Sequence, residues 1–159
     1  LPDVSSPATA APMRFRAAKD GMLLVFFGYT SCPDECPATL ADLRQAERLL
    51  PAAERSRTSV ALVTVDPARD TPAVLRRYVR RFATDWHALR PAVPAQQRAA
   101  ERAFRSASRP EAKTAHGTYG VAHTLEVYGV DDRGTVIVEW PYGTAAAAIA
   151  ADVRKLLGG

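Results

Sequence analysis

Met22-Leu23-Leu24-Val25-Phe26-Phe27 runs without a break into Gly28-Tyr29-Thr30-Ser31-Cys32-Pro33-Asp34-Glu35-Cys36-Pro37. The first six residues are continuously apolar, include the β-branched Val25 and the aromatic Phe26 and Phe27, and are bounded by Gly21 and Gly28. A run of that length and composition predicts a strand buried on both faces. The cysteine segment follows at its carboxyl end, where open α/β sheets place their sites. Beyond it, Leu40, Leu43, Ala46 and Leu50 recur at helical spacing, which predicts a helix over Ala38–Leu50 that Pro51 stops.

Farther out, Ser59–Val65 reads as a second buried strand. Thr71 is placed to cap a helix with Pro72 as its first residue, running to about Phe82. Pro94 to Ser106 reads as another helix, with an apolar face of Ala99, Ala103 and Phe104. His123 to Val130 alternates as a strand, Asp131-Asp-Arg-Gly134 is a hairpin turn, and Thr135 to Trp140 is the returning strand. Thr144 is expected to cap a last helix through about Leu157, ended by Gly158 and Gly159. Two strands joined by a crossover helix should be parallel and the last two antiparallel. The expected architecture is α/β and thioredoxin-like, a mixed central sheet flanked by helices. Residues 20–159 form the domain, and residues 1–19, rich in Pro, Ala, Ser and Thr, a flexible lead-in or tether with a short strand near Met13–Arg16.

The length of 159 residues fits one such domain, and 47% hydrophobic with 24% charged content is ordinary for a globular chain. No apolar run is long enough to span a membrane. The chain starts at Leu1, so an N-terminal signal or anchor is expected to have been removed. The net charge of +4 is modest, the basic residues are nearly all Arg, and no aromatic residues interleave a basic stripe. That pattern argues against nucleic-acid binding.

Two cysteines four residues apart would close too short a loop for a useful structural disulfide, so the pair points to redox or metal chemistry. If the helix starts early enough to include both, positions i and i+4 turn through roughly 400°, leaving the sulfurs about 40° apart on one face. The first sulfur would also face the positive helix N-terminus, which favours thiolate, while Asp34 and Glu35 add opposing negative charge and stabilise the helix start. Two soft thiolates are read as a copper-binding pair needing a third ligand, for which histidine is common. His87, His116 and His123 are the candidates. His87 follows Trp86 near a helix end and suits a surface role, His116 precedes Gly117 in a loop, and His123 opens a strand expected beside the first one. Asp66 ends the second strand and is a candidate to support the metal from outside or weakly along an axis, or else to organise the Asp-Pro turn. Tyr29, Trp86, Tyr119 and Tyr128 are expected mainly to pack.

Phe27-Gly-Tyr-Thr-Ser-Cys-Pro-Asp-Glu-Cys-Pro37, Val65-Asp-Pro-Ala-Arg-Asp-Thr-Pro72 and Tyr119-Gly-Val-Ala-His-Thr-Leu125 together resemble the signatures of the Sco/SenC family of copper chaperones, in the right order over about Leu23 to Leu157. The resemblance implies a thioredoxin-like fold and a place outside the cytoplasm, in the bacterial periplasm or on the outer face of the cytoplasmic membrane, with an N-terminal anchor. It implies Cys32, Cys36 and His123 as ligands of Cu(I) or Cu(II). It further implies a metallochaperone that delivers copper to, or reduces the cysteines of, the dinuclear site in cytochrome c oxidase subunit II, or serves another extracytoplasmic copper protein. A monomer is expected. Three departures stand out: Ala122 where the family often has Asp, Ala88-Leu-Arg-Pro91 in place of a Gly-Leu-Thr-Gly-like segment, and a shortened or absent N-terminal hairpin. The competing expectations are a thiol-disulfide oxidoreductase or peroxidase with Cys32 as nucleophile and Cys36 as resolving thiol, and a copper or redox sensor module. Zinc would ordinarily want a fourth ligand.

Overall fold

The computed structural model describes residues 1–7 and 11–158; Gly159, expected to help end the last helix, lies outside them. The apolar run forms β1 (Met22–Gly28), buried at all seven positions. Burial of both odd and even residues means that both faces of the sheet are covered around it. β2 (Thr58–Thr64) pairs parallel to β1 after a crossover through α1 (Glu35–Leu49) and the single turn α2 (Ala52–Arg55). α3 (Pro72–Val79) follows, then β3 (His87–Leu89), which pairs parallel to β2. After α4 (Pro94–Phe104) come β4 (Ser108–Pro110), β5 (Val121–His123), β6 (Val127–Val130), β7 (Val136–Trp140) and α5 (Ala146–Leu156). The main sheet has the order β3-β2-β1-β6-β7, with β6 antiparallel to β1 and β7 antiparallel to β6, and β4 and β5 make a separate two-stranded sheet. This is the mixed, helix-flanked sheet of a thioredoxin-like fold.

Side-chain alternation along β1 assigns the layers. Phe27 meets Phe104 of α4 and Tyr128 of β6 edge to face, so α4 covers that side. Phe26 and Gly28 point the other way, toward Cys36 of α1, and α5 packs beside α1. The indole of Trp140 donates to Asp152 of α5 at 2.9 Å, tying the last strand to that layer.

Several boundaries differ from the sequence reading, each for a physical reason. α1 starts at Glu35 rather than Ala38, because Pro37 is tolerated in a first turn. Thr71 caps α3 as expected, accepting from Val74 N at 3.3 Å, but the helix ends at Val79 and residues 80–82 continue in turns. On α4 the buried residues are Ala100 and Phe104; Ala99 and Ala103 are exposed. Thr144 does not cap α5. Its hydroxyl is spent on Pro141 O at 2.7 Å, and Ala145 takes the cap position. No strand forms at 13–16; instead Pro2 bridges Pro12, and Asp3 bridges Leu89 at the edge of β3. Val4 of the expected lead-in is buried and its N–H donates to Ala88 O. The single strand expected over 123–130 is two strands in two sheets. Thr124 bonds back to Ala107 beside β4 (3.0 Å), so the chain stays with the small sheet until Val127 joins β1. Gly134 does adopt the positive φ (87°) that the Asp131–Gly134 turn requires. Among the described residues, no helix is long and apolar enough to cross a membrane.

Candidate metal centre

Cys32 lies two residues ahead of the Asp34 cap of α1, so the two cysteines do not share a helix face as i and i+4 would. The loop from Tyr29 instead folds Cys32 back over the helix end. Cys36 N–H, in the first turn of α1, donates to Cys32 Sγ at 3.3 Å. The sulfur thereby takes the place of a capping oxygen, since the Asp34 side chain makes no cap bond. Cys32 Sγ–H donates in turn to Glu35 Oε2 at 3.5 Å. Both cysteines are free thiols. Cys36 is wholly buried and Cys32 is 7% exposed.

Room for the Cys36 sulfur comes from Gly28. A Cβ there would lie 3.0 Å from Cys36 Sγ and 2.9 Å from Phe26 Cε1. The glycine is required for close approach, not for an unusual φ. Sequence reading treated Gly28 only as the boundary of the strand; its position opposite the second cysteine was the available signal.

The loop carrying Cys32 is pinned from below by Asp70, which is fully buried. Its carboxylate accepts from Thr30 N (3.1 Å), Thr30 Oγ1 (2.6 Å) and Thr64 Oγ1 (2.6 Å). Burial, opposed by these bonds, raises its pKa.

Of the three histidines, His123 alone reaches the sulfurs. Its Nε2 is 3.4 Å from Cys36 Sγ, and Cys32 Sγ, Cys36 Sγ and a His123 ring nitrogen all lie within 4.8 Å of one another. Nδ1 is 2.9 Å from Thr124 O. A carbonyl can only accept, so Nδ1 carries the hydrogen and neutral His123 presents the Nε2 lone pair to the cysteines. Burial lowers the His123 pKa, which keeps the ring neutral, and burial raises the Cys36 thiol, which keeps its proton for Nε2. The imidazole is wedged between the edges of Phe26 and Tyr29 (centroids 6.1 and 5.7 Å).

The other candidates fall elsewhere. His87 is corrected from a helix end to the start of β3, where Nδ1 meets Asp3 Oδ2 at 2.7 Å. His116 is exposed at the tip of the β4–β5 hairpin. Asp66 stands outside the three-atom cluster: its carboxylate holds Arg69 Nε and accepts from Tyr119 OH (3.1 Å). Arg69 then does what sequence reading did not foresee. Its guanidinium covers the Tyr119 ring at 3.7 Å and donates to Tyr119 O at 2.8 Å, gripping the segment that leads to His123. Tyr29 adds a second tie, its hydroxyl accepting from Val121 N at 3.3 Å. Trp86 is core, donating to Glu47 of α1 at 2.8 Å.

Two thiols and a neutral imidazole converging from one side make a donor set for a soft, low-coordinate metal ion. Beside them a cavity of about 380 Å³, lined by Tyr29, Cys32, Glu35, Glu111 and His123 among others, gives access. The SCO1/SenC family model matches residues 9–158. Bradyrhizobium japonicum ScoI with copper bound is similar in structure, with a TM-score of 0.76 at 28% identity over 87% of this chain and 86% of that one. Apo Sco1 from Thermus thermophilus gives 0.74 at 33% identity over 87% and 80%. The mitochondrial SCO2 homologue of Bos taurus is 33% identical over 134 residues, 84% of this chain and 50% of that protein. The chain spans about half the length, or less, of the curated relatives it matches. On the family match over nearly its whole length, the chain belongs to the SCO1/SenC family.

Proposed function

We propose that this protein is an extracytoplasmic copper chaperone, held near a membrane by a segment preceding the domain, that binds one copper ion and passes it to the dinuclear copper site of cytochrome c oxidase subunit II. The observation that carries the copper reading is the convergence of Cys32, Cys36 and His123 within 4.8 Å, with the His123 Nε2 lone pair already directed at Cys36 Sγ. The family match and the copper carried by the Bradyrhizobium relative support the choice of metal. Cu(I) accepts two thiolates and an imidazole; binding releases the two thiol protons. Handover proceeds by ligand exchange. An acceptor thiolate displaces Cys32 first, because Cys32 is the more exposed sulfur and Cys36 is sealed behind it.

Anaerobic Cu(I) titration against a competing chelator tests this reading. The expected result is one ion per chain, with binding lost in Cys32→Ala, Cys36→Ala and His123→Ala. Full-affinity binding by His123→Ala would sink the ligand set, and copper-loaded protein that gives no metal to a subunit II soluble domain would sink the delivery step.

A second reading, reduction of an acceptor's disulfide, is favoured by the proximity of two free thiols and by the helix amide on Cys32 Sγ. Rapid reduction of insulin by the copper-free protein would promote it above delivery.

A further inference from the structure

We propose that Glu35 is a fourth, anionic ligand for copper in the Cu(II) state and that Cu(I) is held without it, an inference that rests on the copper reading above. Glu35 is the first helical residue of α1, and its Oε2 accepts the Cys32 thiol hydrogen at 3.5 Å. That separation fits the edge of a coordination polyhedron: metal–sulfur and metal–oxygen bonds of about 2.3 and 2.1 Å put sulfur and oxygen roughly 3.1 Å apart at the right angle Cu(II) prefers and roughly 3.6 Å apart at a tetrahedral angle. When a metal ion replaces the thiol hydrogen, the oxygen that accepted it is left facing the sulfur with its lone pair free. The proton goes to solvent and nothing is oxidised or reduced.

The surroundings single out this carboxylate. Asp66 is occupied by Arg69 and Tyr119. Asp34 is exposed and makes no cap bond. Glu111 lines the same cavity, but its carboxylate lies against Gly120. On the inner side the cluster is closed by Phe26, Gly28 and Tyr29, so the side facing Glu35 is the one open to a further donor. Cu(I) is satisfied by soft, low-coordinate ligation, whereas Cu(II) favours four ligands and tolerates a hard oxygen. A carboxylate there holds Cu(II) selectively and lowers the reduction potential of the bound copper.

The test compares wild type with Glu35→Gln and Glu35→Ala, and with Glu111→Gln as the neighbour control. Each is titrated with Cu(I) anaerobically and with Cu(II), with electron paramagnetic resonance of the Cu(II) form. Cu(II) affinity is expected to fall about 10–100-fold in both Glu35 variants, with an altered Cu(II) spectrum and Cu(I) affinity changed less than about threefold. The reduction potential should rise by about 60–120 mV, the same fold-change converted at 59 mV per decade. Glu111→Gln should leave the spectrum unchanged. An unaltered spectrum and Cu(II) affinity in Glu35→Gln would overturn the proposal, as would equal weakening of both oxidation states. Wild type that binds neither ion would instead remove the copper reading itself.

Discussion

Cys36 descends from the most deeply buried part of the molecule, whereas His123 hangs from a sheet of two three-residue strands. On the cysteine side, β1 is buried along its whole length, Gly28 receives the sulfur, and Asp70 collects the loop through Thr30 and Thr64. On the histidine side, β4 and β5 pair only with each other, and the polar ties to the rest of the domain include Arg69 and Asp66 on Tyr119, the Tyr29 hydroxyl on Val121, and Gln97 and Glu101 of α4 on Ser108. The first half of the site is fixed mainly by deep burial, the second mainly by side-chain contacts to a small sheet with Val121 as its core residue. Changes in the first half should therefore damage stability, and changes in the second should damage affinity while sparing the fold.

Asp70→Ala is the strongest test of that division. It strips the Thr30 and Thr64 hydroxyls of their buried acceptor and leaves a void, and should cost about 3 kcal/mol in urea unfolding. A cost below about 1 kcal/mol would deny the cysteine side its special rigidity. Gly28→Ala should cost about 2 kcal/mol by forcing Cys36 Sγ and Phe26 aside, and should also weaken Cu(I) binding; an unchanged denaturation midpoint would show that the sulfur has room to move.

Burial of Cys36 gives a pH signature. Because its pKa is raised, the folded chain keeps this proton after the unfolded chain has released it. The associated stability is fully present below the ordinary thiol pKa and is lost as pH rises past about 8.5, by up to about 1.4 kcal/mol per pH unit. Urea midpoints of the reduced protein between pH 7 and 10 should show this slope, and Cys36→Ala should flatten it; identical slopes would place the buried proton elsewhere. Arg69→Ala should have the smallest effect on stability, about 1 kcal/mol, yet weaken Cu(I) binding about tenfold by loosening the His123 segment. If it unfolds the protein instead, the two halves are not held differently.

The same division explains what could be read from the chain. β1, β2, the Thr71 cap and the Asp131–Gly134 turn each carry their signal locally, in an apolar run, a hydroxyl before a proline, or a glycine that must take positive φ. The small sheet has no such signal. β4 and β5 are three residues each, too short for periodicity, and are fixed by pairing across the 111–120 loop. From residues alone His123 led three candidates only through its expected strand beside β1, because its contact with Cys36 spans 87 positions; the motif resemblance then singled it out. α4 misled because an alanine-rich helix shows no pronounced apolar stripe, so Ala99 looked as good as Ala100. The role of Glu35 was half visible: its charge beside the cysteines could be read, but the loop geometry that turns its carboxylate onto Cys32 could not.

The N-terminal residues along β3 bear on how any partner must approach. Asp3 bridges Leu89, Val4 N–H donates to Ala88 O, Arg90 N–H donates to Pro2 O, and the Asp3 carboxylate accepts from Ala88 N at 3.3 Å. Together these fill the hydrogen-bonding groups of what would be an open sheet edge. Strand addition, one way for a sheet protein to recruit an extended peptide, is blocked along that edge. A partner arriving from that side must read side chains and loops instead.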